Sequence, residues 1–194
     1  MLKEHKYSVL VASANDKFDS ILLSLLPANE FGPVEVVSSA GAARRKLLDK
    51  SYDILIVNAP LTDERGASFA ADAAVESNMG IMLFLDASIY DDVAPKVEEY
   101  GVLALSKPTN RAIVTQSVRI LCATRQRLKR LEKQASTFEE KIKEIKLVNR
   151  AKLLLMEHMS LSEEDAHRLI EKTAMNTRST KVRIAEEIIA KYKE

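Results

Sequence analysis

From Ala112 to about Met156 the chain contains neither glycine nor proline, and its apolar spacing over that length predicts one uninterrupted helix. That helix divides the rest. Strand-like and helix-like stretches alternate before it, and only helical patterns follow it. Its middle carries a heptad seam: with Leu121 at position a, the a positions are Leu121, Leu128, Ala135, Ile142 and Asn149, and the d positions are Thr124, Leu131, Phe138, Ile145 and Lys152. The stripe outlasts what a helix within one domain needs, so it predicts a parallel coiled coil and a homodimer. Charge sets the register only in part. Arg127 at g would meet Glu132 at e of a second chain, whereas Lys141 at g would meet Lys146 at e.

The 194 residues, 46% hydrophobic and 29% charged, suit a folded domain plus a smaller module and exclude a disordered chain. No apolar run approaches the roughly 20 residues that span a bilayer. The start, MLKEHKYS, lacks the apolar core of a signal peptide. A cytoplasmic protein with no membrane contact is expected. Cys122 is the single cysteine and has no internal disulfide partner, and His5, His158 and His167 have unrelated spacings. Neither a metal centre nor a cofactor is expected from them. The net charge of +1 hides an asymmetry: residues 1–120 hold 12 Lys and Arg against 16 Asp and Glu, and residues 121–194 hold 17 against 12. The second part is the better partner for a polyanion.

Tyr7–Ser13 (YSVLVAS) reads as a strand, and Asn15–Asp16 opens a helix with Phe18, Ile21, Leu22, Leu25 and Leu26 on one face. The alternation returns four times: Val34–Val37 then Ala40–Lys50, Asp53–Val57 then Gly66–Glu76, Ile81–Leu85 then Ile89–Tyr100, and Val102–Leu105 then Thr109 onward. Strands apolar on both faces and separated by helices predict a parallel five-stranded sheet covered on both sides. Any site would lie at the carboxyl ends of the strands.

Those ends carry a resemblance. Asn58 to Gly66 after YDILIV, Asp86–Ala87 after the fourth strand and Lys107–Pro108 after the fifth together resemble a response-regulator receiver domain, a flavodoxin-like α/β fold, over about residues 6–122. The resemblance implies an acidic pair that holds Mg²⁺ after the first strand and an Asp that is phosphorylated after the third. This chain has Ser13 and Ala14, then Asn58, at those places, and Asp86 where a hydroxyl would meet the phosphoryl group. An amide cannot form an acyl phosphate, and Ser13 and Ala14 supply no carboxylate for a hard cation. A degenerate phosphorylation site is therefore expected, with Lys107 bonded to Asn58 or Asp86 as a remnant.

The last third divides by its own punctuation. After the long helix ends near Met156–Met159, Ser162 caps a second helix with Asp165 three residues on, and Ala166, Leu169, Ile170, Thr173 and Ala174 share a face. Thr177–Arg178–Ser179 breaks it, and Ser179 or Thr180 caps a third helix with Val182, Ala185, Ile188 and Ile189 inward. Arg150–Ala151–Lys152, Leu155–Met156, Ser162 to Ala166, Ala174–Met175, Arg178–Ser179, Val182 and Ala185 resemble the ANTAR domain of transcription antitermination regulators, an all-α three-helix domain, over about residues 141–192.

That resemblance implies a domain order of a receiver over 1–120, a coiled-coil stem over 121–145 and an ANTAR domain over 146–194. It also implies binding to paired stem-loops in a leader RNA, which prevents a terminator from forming. Lys and Arg would hold phosphates while loop bases are read by side chains. The candidate RNA-binding residues are Arg150, Lys152, Arg178, Ser179 and Lys181, and the candidate dimer seam is Leu121, Leu128, Leu131, Ala135, Phe138, Ile142 and Ile145. With the phosphoryl switch absent, a regulatory sensor protein acting on the receiver is the expected control. A DNA-binding response regulator, with the last helices as a helix-turn-helix, and a protein-interaction adaptor are the alternatives. No catalytic triad, phosphate loop or metal cluster marks the chain as an enzyme.

Overall fold

The computed structural model describes residues 6–192; of the three histidines, His5 lies outside them. The chain forms two compact units, Met1–Lys129 and Arg130–Glu194. The first contains the strands β1 (Tyr7–Ser13), β2 (Phe31–Val37), β3 (Ile54–Asn58), β4 (Gly80–Asp86) and β5 (Leu103–Lys107). Between them run the helices α1 (Asp16–Ser24), α2 (Ala40–Asp49), α3 (Ala67–Glu76) and α4 (Ala87–Glu98). The long helix α5 is Arg111–Met159, and α6 (Glu163–Asn176) and α7 (Lys181–Lys191) follow. No helix among the described residues is long and apolar enough to cross a membrane.

All five strands are parallel, in the order β2-β1-β3-β4-β5. Successive side chains of a strand point to opposite faces, so the central strands feed two cores. Leu10, Leu55, Leu83 and Leu85 meet Ala43 of α2, Phe69 of α3, and Ala94 and Val97 of α4. On the other face Val9, Ile56, Met82 and Phe84 meet Leu22 of α1 and Val114, Val118 and Leu121 of α5. Burial on both faces is why β3 and β4 lack the alternation of a half-exposed strand.

Two expectations shift. The second strand starts at Phe31 and not at Val34, passing through Gly32 and Pro33; β2 is an edge strand, where a proline without an N–H is tolerated. Leu121, expected at the head of the dimer seam, is instead 5% exposed and packed in the first unit's core. Its Cβ would stand 3.2 Å from a Cβ placed on Gly80, the first residue of β4. The Gly80→Ala variant should therefore lose about 1–2 kcal/mol through overpacking, seen as a lower urea midpoint; an unchanged midpoint would show that Leu121 can move aside.

Past that core, α5 is held to the sheet by charge. Asp53, which precedes β3 and is 6% exposed, lies 2.6 Å from the Lys129 ammonium and 3.6 Å from Arg125 Nε. Its Oδ2 accepts the Ser8 N–H at 3.1 Å, and its own N–H donates to Ser8 Oγ at 3.0 Å.

The second unit has one small core. Val148, Ala151 and Leu155 of α5 meet Ala166, Ile170 and Ala174 of α6 and Ile184, Ala185 and Ile189 of α7. Ala151, Ala166 and Ala185 are fully buried, and a larger side chain at any of them would push the helices apart. Ser162 caps α6 by accepting the Asp165 N–H at 3.1 Å. Of the two candidates for the third cap, Thr180 is the one used, accepting the Arg183 N–H at 3.3 Å.

Candidate functional site

Strand register builds the first candidate site. Ser13 is paired with Asn58 across β1 and β3, and Asp86 with Lys107 across β4 and β5, so all four gather at the carboxyl edge of the sheet. Asn58 Nδ2 donates to Ser13 Oγ at 3.1 Å, and Asn58 Oδ1 accepts from Lys107 Nζ at 3.1 Å. The ammonium also donates to the Ala59 carbonyl and lies 3.3 Å from Asp86 Oδ1. Ser13 Oγ accepts a further N–H from Asn15 at 3.3 Å. Ser13 and Asn58 are buried, whereas Asp86 is exposed.

The arrangement satisfies itself. Ser13 and Asn58 offer a hydroxyl and an amide, Ala14 offers nothing, and the one carboxylate in the group is paired with Lys107. These donors do not fit a Mg²⁺ ion, which takes carboxylate and phosphate oxygens. Asp63, in the loop after β3, is engaged elsewhere: its carboxylate accepts the Ala40 and Gly41 N–H groups at the start of α2, each at 2.8 Å. Those two bonds hold its carboxyl below the ordinary range.

The second candidate site is in the helical unit, and its five residues separate into two kinds. Lys152, whose side chain is 14% exposed, donates to Glu163 at 2.8 Å, and Lys181 is bonded to Glu171. Both carboxyls are held below their usual range, chiefly by those lysine bonds. Arg150 and Arg178 are exposed, and no carboxylate among the described residues forms a salt bridge with either. The sequence could not reveal this difference. Lys152 and Glu163 are joined across the turn between α5 and α6, and Lys181 and Glu171 across the turn between α6 and α7, where no helical period applies. On the surface of α6 itself, Arg168 pairs with Glu164 one turn away at 2.6 Å.

Arg178 has a second distinction. Its φ is 49°, in the left-handed region, and it closes α6: the Arg178 N–H donates to the Met175 carbonyl at 3.2 Å and the Ser179 N–H to the Ala174 carbonyl at 2.9 Å. That is a Schellman closure with arginine where glycine is usual. Half-buried Ser179 thus contributes its N–H to the closure, and Thr180 starts the next helix directly after it.

Along α5, Leu131, Phe138, Ile142 and Ile145 are exposed large apolar residues, Phe138 at 65%. Ala135 is exposed too, while Leu128 is half-buried. Cys122 packs beside the first unit's core, and burial pushes its thiol up to about 11, which makes it a poor nucleophile. No group of three or more His, Cys, Asp or Glu among the described residues could hold a metal ion.

The family model of the ANTAR domain matches residues 136–189. The chain is 26% identical over 160 residues to the transcriptional regulatory protein PdtaR of Mycobacterium tuberculosis (strain H37Rv), a span of 80% of this chain and 77% of that protein. The signal receiver domain of an HD domain-containing protein from Pseudomonas fluorescens Pf-5 matches with a TM-score of 0.59 at 16% identity, over 67% of this chain and 96% of that one. The receiver domain of the response regulator TorR matches with a TM-score of 0.53 at 21% identity, over 61% and 98%. At such identities the structural likeness is one of fold.

Proposed function

We propose that the chain is a response regulator of the ANTAR type, with a receiver fold ahead of an ANTAR domain, and that it binds paired stem-loops in nascent RNA and prevents terminator formation. The observation that carries the reading is the ANTAR match over residues 136–189, which contains Arg150 and Arg178 as exposed cations without carboxylate partners among the described residues. A guanidinium that is not already neutralised can take a phosphate without first breaking an ion pair. Arg150 and Arg178 are the primary phosphate contacts in this reading. Lys152, Ser179 and Lys181 join once the lysines exchange Glu163 and Glu171 for RNA.

Filter binding on the full chain tests it. A paired-hairpin RNA should be retained well ahead of duplex DNA and of unstructured single-stranded RNA of equal length. Preference for duplex DNA would favour a helix-turn-helix role, and no preference at all would favour a protein-interaction adaptor.

The receiver in this reading is a pseudo-receiver. Asn58 cannot be phosphorylated, and Lys107, the cation that would greet a phosphoryl group, is already held by Asn58, Ala59 and Asp86. Control then passes to a sensor protein that docks on the receiver. The division into receiver (1–120), stem (121–145) and head (146–194) is kept, with the stem pairing to a second chain through the exposed stripe from Leu131 to Ile145 and with Leu121 left out of it. Incubation with acetyl phosphate and Mg²⁺ should leave the mass of the protein unchanged. Asn58→Asp alone should not restore phosphorylation, because Ser13 and Ala14 still provide no acidic pair; a stoichiometric acid-labile phosphate on the natural chain would overturn the pseudo-receiver.

A further inference from the structure

His158, in the last turn of α5, lies face to face with Tyr192, which follows α7: the ring centroids are 4.7 Å apart and the planes 11° apart. The Lys191 ammonium stands 5.3 Å from the centroid of the Tyr192 ring. His158 is exposed and Tyr192 half-buried. A ring pair serving only to close a core would be buried with its polar atoms bonded. Here neither the imidazole nitrogens nor the phenol hydroxyl forms a hydrogen bond with another described residue, so the ring edges remain available to a ligand. Near-parallel stacking at this separation is how an unpaired base settles on an aromatic side chain.

We propose that the His158–Tyr192 stack is a base-stacking platform, on which an unpaired RNA loop base extends the column over the exposed face of His158. This rests on the RNA-binding reading and supplies what that reading lacks. Phosphate contacts from Arg150 and Arg178 position an RNA but carry no sequence information directly, whereas contacts to bases do. Arg150 and His158 are eight residues apart on α5, about 12 Å along the axis. That is the length of three to four stacked nucleotides at about 3.4 Å each, so one strand can touch both. Lys191 adds a cation beside the column, where the backbone of the stacked nucleotide would pass.

The full chain is titrated with a tandem-hairpin RNA carrying 2-aminopurine at one loop position at a time, by filter binding and by fluorescence. At one or more positions the natural chain should quench 2-aminopurine on binding. His158→Leu, which keeps an apolar side chain but no ring, should bind about tenfold more weakly, lose that quench and keep the salt dependence of the natural chain. His158→Phe should restore both affinity and quench. Circular dichroism melting checks that each variant is folded. Should His158→Leu bind and quench like the natural chain, or His158→Phe fail to rescue, the platform is wrong while RNA binding by the arginines stands. Should the natural chain not bind hairpin RNA at all, the RNA reading falls and the platform with it.

Discussion

Asp53→Ala is expected to lower the stability of the amino-terminal unit by about 2–3 kcal/mol, read as a drop in the urea midpoint with an unchanged slope. Asp53 is 6% exposed, and its carboxylate takes the Ser8 N–H at 3.1 Å and faces both Lys129 and Arg125. Removing one partner of a buried charge network costs about 3–5 kcal/mol, because the groups left behind were desolvated for it. The Lys129 side chain is 31% exposed and can return to water, which places the loss at the lower end or below. Asp53→Asn keeps an acceptor for Ser8 and removes only the charge, so it should cost less, about 1 kcal/mol. Equal stability of Asp53→Ala and the natural chain would mean that this network does not hold α5 to the sheet.

The paired substitution Arg150→Glu and Arg178→Glu is expected to reduce affinity for hairpin RNA by about a hundredfold or more. The slope of log affinity against log salt should fall by about two, one for each phosphate that no longer has an arginine beside it. Both side chains are exposed and outside the helical core, so the melting temperature should change little. Arg178→Gly separates the two effects more sharply. At φ 49° a residue with a Cβ is strained where glycine is not, so glycine should stabilise α6 by about 0.5 kcal/mol while still removing the charge. Stability and RNA affinity would then move in opposite directions, which partial unfolding cannot produce. By contrast Lys181→Gln should have a smaller effect on RNA, since the Lys181 ammonium must first leave Glu171. If the lysine substitution proves the more damaging, the division of the five residues into open and occupied cations is wrong.

That division bears on regulation as well. The candidate RNA face presents two arginines openly, and two carboxylates of α6 are paired with its two lysines; in the proposed function those carboxylates would compete with phosphate. At the other site Lys107 is committed to Asn58, Ala59 and Asp86.

Periodicity and punctuation were enough to find the elements. A βα alternation whose strands are apolar throughout determined a parallel sheet covered on both sides, because burial on both faces is the only way to hide such strands. The absence of glycine and proline from Ala112 to Met156 determined one helix, observed as Arg111–Met159. Ser162 with Asp165 marked the start of α6 because a side-chain oxygen meets a free backbone N–H there whatever surrounds it. At the strand ends, Ser13, Asn58, Asp86 and Lys107 could be placed together because register in a parallel sheet follows from the fold.

Tertiary structure decided which side chains are already taken. Leu121 fits a heptad as well as Phe138 does, yet Leu121 faces Gly80 in a core and Phe138 is open; the same hydrophobic pattern serves either neighbour. Lys152 and Arg150 are equally basic in sequence, and only the approach of α6 neutralises one of them. The left-handed backbone of Arg178 and the stacking of His158 on Tyr192 have no local signature, since each is fixed by how α5, α6 and α7 meet. Local pattern sets secondary structure because backbone hydrogen bonds are local. Pairing between charges and rings is set by distances that exist only once the chain has folded.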